Sequence, residues 1–353
     1  HGEGYAIKVQ GRWEYFWVFD YQKLRPIVSQ IEAYPSCENT KLILQGEVSP
    51  MSYKRINQQS RTYPRTCEVQ HINAAWETAT EMWVDTIITD TLTFTNELTV
   101  AASPVNTQYI ITDELAKKLQ LSEDSLCSPE VTPVALKAHP TTITTTRGDD
   151  GLSNEVARPT EKTDIENMSA PLEVYFQANG INATYYKWNI YHANKQILTR
   201  HDAEHRYTFM DYGAYRAVLW VSNDMCQLDS VEFTITIQQS MLNVPNTFTP
   251  NGDGVNDEFR VVYRSIKEFH CWIYNRWGHL VYEWTDPAKG WDGTIGGRPA
   301  PIGAYYYVIR ALGTDAATDA NYFSKSSYQK KKEKNDESIL GVFQYSGDIN
   351  LIR

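Results

Sequence analysis

The sequence predicts an all-β protein that is built from tandem β-sandwich domains. The chain has 353 residues, which is enough for two or three domains with sizeable cores. It contains 23 tyrosines, 10 tryptophans and 11 phenylalanines, and aromatic residues favour strands. Runs with helical periodicity are nearly absent, and turn-forming residues recur at short intervals. These features indicate many short strands that are joined by turns.

Charge and hydropathy exclude two classes of function. The formal net charge is −10, whereas a phosphate-binding surface needs clustered positive charge. We therefore expect no nucleic-acid partner. No apolar run approaches the length of about 18 residues that a membrane-spanning helix requires, so none is predicted.

Residues 1–140 are predicted to form an N-terminal β-sandwich. Aromatic residues occupy every second position from Trp13 to Tyr21, so one face of this strand is aromatic. We expect a second sheet to bury this face, because large exposed apolar patches are rare. A short helix is predicted to begin at Asp113, an acidic residue suited to an N-cap. Further alternating runs cover residues 41–47, 81–88, 91–100, 108–112 and 131–139.

A linker and a second domain follow. Residues 141–170 carry almost no large apolar side chain, which predicts an interdomain linker or mobile loop. Residues 171–240 alternate strongly and place Trp188 on a central strand. The run from Asp211 to Tyr215 enters a strand and is typical of a tyrosine corner. This segment resembles an immunoglobulin-like domain of the PKD type, which implies a spacer or a contact surface.

The turn-rich stretch at residues 243–259 contains the one candidate metal site. Its glycines allow the sharp turns that bring several oxygens to one Ca²⁺ ion. The spacing differs from that of an EF-hand, and the same side chains also form ordinary Asx turns, so both interpretations stay open. The candidate ligands are Asn251, Asp253, Asn256 and Asp257.

The five cysteines form no metal or redox motif. Three of them lie in the first third of the chain, where one disulfide is possible, but the sequence does not choose the pair. We expect Cys226 and Cys271 to be small buried apolar residues, because unpaired cysteine is among the most buried residue types. The remaining three are Cys37, Cys67 and Cys127.

Sequence motifs give no support for an enzyme. A nucleophile elbow, a phosphate-binding loop, a dinucleotide fingerprint and a zinc motif are all absent from the sequence. His201 and His205 are four residues apart, but they fall in a predicted loop and not on a helix, so we interpret them as surface residues. We expect no cofactor other than the calcium ion considered above.

Residues 243–353 contain five ordered motifs. They are Phe-Thr-Pro-Asn-Gly-Asp-Gly-Val-Asn-Asp at 248–257, Ile-Tyr-Asn-Arg-Trp-Gly at 273–278, Trp-Asp-Gly at 291–293, Pro-Ile-Gly-Ala-Tyr-Tyr-Tyr at 301–307 and Gly-Asp-Ile-Asn-Leu-Ile at 347–352. In this order they closely resemble one family, the gliding motility-associated C-terminal domain, which is the type B sorting domain of type IX secretion cargo in Bacteroidota. A long insert at residues 313–343, which includes three consecutive lysines from Lys330, departs from the family pattern.

The resemblance implies export through the periplasm to the cell surface or the medium, and association with the outer membrane. It also implies two partners, the type IX machinery and a β-barrel of the PorP/SprF type. The terminal strand either pairs with a partner's sheet edge or completes its own sheet. The residues that the resemblance assigns to sorting are Asn251, Gly252, Asp253, Gly254, Arg276, Gly278, Gly303, Gly347, Asp348, Ile349, Leu351 and Arg353.

Taken together, these observations predict a non-enzymatic surface or secreted protein in adhesion, envelope structure or assistance to secretion. One alternative is a carbohydrate-binding or adhesive module with a glycan or protein ligand, which requires an exposed aromatic cluster such as the strand from Trp13. Another is an unrecognised enzyme in the N-terminal domain. We expect Trp277, Trp291 and the three tyrosines from Tyr305 to Tyr307 to be core residues, because a small domain must bury its aromatics.

Overall fold

The computed structural model describes residues 3–55, 57–121, 125–147, 154–161, 167–228, 230–317 and 340–353. Almost all of their regular structure is β, which confirms the predicted class. The two helices are short, α1 (Tyr21–Leu24) and α2 (Glu114–Lys118). In the described part of the chain, no helix has the length and apolar character needed to cross a membrane.

The strands divide between two compact units. The first unit comprises residues 1–139, 178–187 and 220–231, and the second comprises residues 140–177, 188–219 and 232–353. Up to residue 144 the strands are β1 (Glu3–Val9), β2 (Arg12–Val18), β3 (Ile27–Pro35), β4 (Asn39–Glu47), β5 (Met51–Lys54), β6 (Ser60–Tyr63), β7 (Thr66–Glu77), β8 (Met82–Thr93), β9 (Glu97–Ala101), β10 (Ile110–Asp113), β11 (Leu126–Cys127), β12 (Lys137–Ala138) and β13 (Thr141–Thr144). After it they are β14 (Leu172–Gln177), β15 (Gly180–Ile181), β16 (Tyr185–His192), β17 (Lys195–Arg200), β18 (Glu204–Phe209), β19 (Gly213–Ser222), β20 (Val231–Ile237), β21 (Met241–Asn243), β22 (Thr247–Phe248), β23 (Val262–Arg264), β24 (Ile266–Tyr274), β25 (Leu280–Trp284), β26 (Thr294–Ile295), β27 (Arg298–Pro299), β28 (Gly303–Gly313) and β29 (Val342–Leu351).

The core of the first unit lies between a three-stranded sheet, in the order β3-β4-β9, and a four-stranded sheet, in the order β11-β10-β7-β8. Alternation selects the buried face of each strand: Leu42 and Leu44 on β4 are buried, and so are Cys67 and Val69 on β7. The side chain of Asp113 accepts a hydrogen bond from the amide of residue 115, which confirms it as the N-cap of α2.

The aromatic strand near the N-terminus is exposed, so the prediction that a second sheet buries it is wrong. β1 and β2 form a separate two-stranded sheet, and Trp13 is 57% exposed and Tyr15 47%. Trp17 is anchored, because its ring packs against Tyr53 and its Nε1 donates to the carbonyl of Lys54. Alternation shows that the rings share a face, but it contains no information about what covers that face.

The cysteines are only partly as predicted. Cys37 and Cys226 form a disulfide across a sequence separation of 189 residues, so Cys226 is buried as predicted, but the prediction that it is unpaired is wrong. Cys271 is buried and unpaired, as predicted. Cys67 is also buried, whereas Cys127 is exposed, and both are free. Disulfides of this kind persist in oxidising compartments outside the cytosol.

The second unit begins with an immunoglobulin-like sandwich. Its sheets have the orders β13-β14-β18 and β17-β16-β19-β20. Trp188 is fully buried beside Phe176, with 5.5 Å between the ring centroids. The hydroxyl of Tyr215 donates to the carbonyl of Asp211 at 2.9 Å, which confirms the predicted tyrosine corner.

Part of the segment that was predicted as a linker is a strand. β13 pairs with β14 from Thr141 to Thr144, and the side chains of Thr142 and Thr144 are buried. The prediction counted large apolar side chains and missed that alternating β-branched threonines also suit a half-buried strand. Residues 148–153 and 162–166 of the segment lie outside the described residues.

The C-terminal part of the second unit is a further sandwich, whose main sheet has the order β22-β29-β28-β24-β25. Its core includes Trp291, Phe259 and Ile309, all fully buried. The ends of the predicted insert are tied together, because the amide of Gly313 donates to the carbonyl of Gly341 at 2.7 Å. Residues 318–339, including the lysine run, lie outside the described residues.

Candidate functional site: the loop end of the C-terminal sheet

Several of the predicted sorting motifs meet at one end of the five-stranded sheet. Gly303, at the start of β28, pairs with Leu351 near the end of β29, and Phe248, at the end of β22, pairs with the same residue. Tyr274, at the end of β24, pairs with Tyr306 on β28. We call this surface the loop end; it comprises residues 249–258, 275–279, 293–302, 352 and 353.

The first loop closes around the carboxylate of Asp257. Its Oδ1 accepts the amides of Asn251 and Gly252 at 2.9 and 2.7 Å, and its Oδ2 accepts the amide of Gly254 at 2.7 Å. The amides of Gly252 and Gly254 are the largest causes that lower the pKa of Asp257, because N–H donors favour the ionised form. The Asp257 carboxylate therefore holds the loop in one conformation through three hydrogen bonds.

The remaining polar side chains of this loop form Asx turns. Oδ1 of Asn251 accepts the amide of Asp253 at 3.0 Å, and Oδ1 of Asp253 accepts the amide of Val255 at 2.8 Å. The carbonyl of Asn256 accepts the amide of Thr249 at 2.8 Å. These are the backbone-directed contacts that the sequence left open beside metal binding.

The calcium site stays a prediction. The candidate ligands Asn251, Asp253, Asn256 and Asp257 lie on one loop, but the oxygens described above already accept N–H groups. Among the described residues, no group of three or more histidine, cysteine, aspartate or glutamate side chains is placed to hold a metal ion.

The β24–β25 turn presents an exposed tryptophan on a fixed backbone. Oδ1 of Asn275 accepts the amides of Trp277 and His279, both at 3.0 Å, and the amide of Gly278 donates to the Asn275 carbonyl. Trp277 is 72% exposed, and the Arg276 guanidinium lies 5.3 Å from its ring centroid. The prediction that Trp277 is a core residue is therefore wrong, because Trp277 lies at the tip of the turn between β24 and β25, beyond the sheet.

The last residue of the chain ties the loop end together. The guanidinium of Arg353 donates to the carbonyls of Ala300 and Gly293 at 2.8 and 3.1 Å. Trp291 and Tyr305, which belong to the motifs at 291–293 and 301–307, are buried, as predicted. Tyr307 is partly buried against the core, whereas Tyr306 is 50% exposed, so the prediction that Tyr306 is a core residue is wrong.

The terminal strand completes its own sheet. β29 pairs with β28 over ten residues, and Ile349 and Leu351 are buried in the core. An ideal Cβ at Gly347 would lie 2.8 Å from the hydroxyl of Tyr307, so a side chain at this position would require the Tyr307 ring to move. Asp348 is exposed. The side chains of Ile349 and Leu351 are therefore part of the core of the domain.

The other predicted glycines are conformational residues. Each adopts a positive φ, which glycine tolerates and most residues do not. The values are +80° for Gly252, +82° for Gly254, +77° for Gly278 and +136° for Gly303.

The loop end carries exposed apolar side chains that were not predicted from the sequence. Val255, Trp277, Ile302 and Ile352 are all exposed, and each belongs to a different segment of this surface. The available signal was an apolar residue directly beside a turn glycine, as in Gly254-Val255 and Trp277-Gly278. In these two segments the turn lies beyond the sheet, so the apolar side chain does not reach the core.

The two histidines that are four residues apart do not form a site. His205 lies on β18 and not in a loop, and its ring is stacked on Phe176 with 4.7 Å between centroids. Burial lowers the pKa of His205. His201 is exposed and lies outside the strands.

Two family models match parts of the chain. Residues 242–329 match the CHU_C Type IX secretion signal domain, and residues 30–128 match the Fibronectin type III domain. A search of the curated proteins found no match.

Solved structures show only distant likeness. Dimeric latent PorU from Porphyromonas gingivalis is 10% identical, with 92% of this chain and 32% of PorU covered and a TM-score of 0.19. The chicken CNTN1 FN1-FN3 domains are 10% identical, with 93% and 99% covered and a TM-score of 0.24. Trypsin-activated alpha-2-macroglobulin from Escherichia coli is 9% identical, with 99% and 26% covered and a TM-score of 0.20. The chain spans about a third of the latent PorU chain.

The chain is thus a modular β-sandwich protein with a C-terminal export signal. More specifically, it carries a type IX secretion signal domain at residues 242–329, preceded by a fibronectin type III domain at residues 30–128. A signal domain of this kind implies handling by the type IX secretion machinery and export to the cell surface or secretion. The predicted sorting resemblance is confirmed, and both matched domains are of typically non-catalytic kinds.

Proposed function

We propose that this protein is a non-enzymatic component of the cell surface. The type IX machinery exports it, and an outer-membrane β-barrel of the PorP/SprF type holds it through the C-terminal domain. The N-terminal modules then act outside the cell in adhesion, envelope structure or assistance to secretion. The disulfide between Cys37 and Cys226 agrees with folding outside the reducing cytosol.

One observation supports the loop end as the docking surface. Trp277 is exposed on a turn that Asn275 holds in place, with a guanidinium beside its ring. Exposed tryptophan next to arginine is the composition that dominates binding energy in protein interfaces. A fixed backbone reduces the entropy that is lost on binding.

The test is crosslinking and affinity capture from the native envelope. The full chain, a chain without residues 243–353 and Trp277→Ala are compared. We expect a barrel protein to be recovered with the full chain, to be lost on truncation and to be reduced by Trp277→Ala. Trp13→Ala is the matched control, because Trp13 is also exposed but lies in the first unit.

Two results would contradict the proposal. If the truncated chain reaches the surface and keeps the same partners, these residues do not direct sorting. If Trp277→Ala and Trp13→Ala capture the barrel equally well, docking uses another surface of the C-terminal domain.

A specific observation favours a second candidate function, an adhesive or glycan-binding module. That alternative requires an exposed aromatic cluster, and β2 presents Trp13 and Tyr15 on one face. The directly opposite residue of Tyr15 is Ala6, which is too small to cover the ring. Binding of the purified protein to immobilised envelope polysaccharide tests this function, and Trp13→Ala should reduce it.

A further inference from the structure

A cleft lies on the outer face of the four-stranded sheet of the first unit. Its volume is about 520 Å³, which is within the range of small-molecule sites. Its floor consists of Ile72, Ile87 and Ile110, which lie on three neighbouring strands, and Ile72 is directly opposite Ile87. All three are exposed, Ile87 by 72%. The floor is therefore an apolar patch that a ligand could cover.

The cleft exists because a side chain replaces part of the β-ladder. β10 begins at Ile110, which pairs with Gln70. Two residues further along β7, the amide of Ile72 donates to Oγ1 of Thr107 at 2.7 Å and not to a backbone carbonyl. Thr107 in turn exchanges two backbone hydrogen bonds with Val131. The loop before β10 is thus held off the sheet, and the gap is the cleft.

The polar groups around the floor are available for a ligand. Gln70, Asn106 and Gln108 contribute side-chain amides, and Glu130 contributes a carboxylate. Within the described residues, none of these four side chains has a hydrogen-bond or ion-pair partner. Amides both donate and accept, and the carboxylate accepts, so together they match a ligand rich in hydroxyl groups.

The charge of the lining excludes anionic ligands. Among the described residues that line the cleft, none is lysine or arginine, and Glu130 repels anions. His71 also lines it, but burial lowers the pKa of this histidine, which favours the neutral ring. A neutral ligand is therefore preferred to a phosphate or a uronate.

We infer that the cleft is a binding site for a neutral saccharide. The apolar C–H face of a sugar ring covers the isoleucine floor, and its hydroxyls bond to the amides and to Glu130. The inference rests on the second candidate function, glycan binding, and adds a specific site to it. That site lies on the fibronectin type III domain and is separate from β2. It does not depend on the route of export.

The test uses the purified full chain and saturation-transfer NMR. The probes are maltotriose, cellotriose, chitotriose and mannotriose, with trigalacturonate as the charged control. We expect at least one neutral probe to bind with a Kd of about 1 mM, the strength of a site with few contacts. Ile87→Asp should weaken binding by about tenfold or more, because it places a charge in the apolar floor.

Matched variants make the result specific. Ile27→Asp is the control, because Ile27 is 74% exposed on β3 of the other sheet, and it should leave binding unchanged. Glu130→Gln should still bind a neutral probe, and it should bind trigalacturonate more strongly than the unchanged protein does. Thermal unfolding of each variant confirms that it is folded.

Three results would overturn the inference. The first is the absence of saturation transfer to every neutral probe at a probe concentration of about ten times the expected Kd. The second is stronger binding of trigalacturonate than of every neutral probe. The third is binding that Ile87→Asp leaves intact; if Trp13→Ala abolishes that binding, the adhesive function stands but its site is the N-terminal hairpin.

Discussion

Removal of the disulfide between Cys37 and Cys226 should strongly destabilise the first unit. Both cysteines lie in turns that side chains support: Oγ of Ser36 accepts the amide of Asn39, and Oδ1 of Asn223 accepts the amide of Cys226. The folded unit therefore presents the two cysteines ready for pairing. The double variant Cys37→Ser, Cys226→Ser removes the bond and leaves these turns in place.

The magnitude follows from the length of chain that the bond closes. The two cysteines are 189 residues apart. In the chain-entropy treatment, a loop of this length restricts the unfolded chain enough to contribute about 5 kcal/mol to stability, and measured effects commonly reach about 2–4 kcal/mol. With a urea m-value of about 2 kcal/mol per molar, the unfolding midpoint of the first unit should fall by about 1–2 M.

Hydrogen exchange with mass spectrometry at increasing urea measures the two units separately. Peptides from β4 and β7 should lose protection at lower urea in the double variant, whereas peptides from β24 and β28 should not change. Cys127→Ser is the control, because Cys127 is exposed and free. An unchanged midpoint in β4 and β7, or non-reducing peptide mapping that finds Cys37 unpaired, would refute the reasoning.

Three further predictions concern two tyrosine hydroxyls, His71 and the loop around Asp257. Tyr215→Phe and Tyr305→Phe each remove a hydroxyl that donates to the carbonyl four residues earlier, that of Asp211 and of Pro301. Each substitution should cost about 1 kcal/mol in urea unfolding. Unchanged stability of Tyr215→Phe would contradict the tyrosine-corner assignment. Burial lowers the pKa of His71 below its usual value of 6.5, so protonation favours the unfolded chain. The stability that the neutral His71 ring contributes is therefore present above about pH 6.5 and is lost as the pH falls. The urea midpoint of the unchanged protein should drop between pH 7 and about pH 5, and the midpoint of His71→Gln should drop less. Asp257→Asn should lower Tm more than Asp253→Asn, because the Asp257 carboxylate accepts three amides; a rise in Tm on adding calcium to the unchanged protein would support the predicted ion site, and a constant Tm would contradict it.

The predictions that succeeded depend on short stretches of chain. The tyrosine corner follows from five residues, Asp211 to Tyr215, and the N-cap of α2 follows from Asp113 and the residues after it. The sorting motifs are turn sequences whose conformation is set by their own glycines and Asx side chains, such as the loop around Asp257. Local chemistry is enough in each case, because the partners are within a few residues of one another.

The predictions that failed concern which surfaces are covered. Alternation correctly places Trp13 and Tyr15 on one face, but nothing in that pattern specifies a second sheet above it. Trp277 and Trp291 are both tryptophans beside glycines or turns, yet one is exposed and the other is fully buried. The difference arises because one lies at the tip of a turn and the other packs between the sheets.

The sequence by itself determined the all-β class, the turns and the identity of the export domain, because strand period and turn chemistry act over a few residues. Three features were decided only by the tertiary structure. Cys37 forms a disulfide with Cys226, and the aromatic face of the hairpin that contains Trp13 is exposed to solvent. The hydrogen bond between Thr107 and the amide of Ile72 holds a loop away from β7, which creates the cleft. Each of these depends on contacts between residues that are far apart in the chain. Such contacts are determined by how sheets pack together, which a local pattern restricts but does not select.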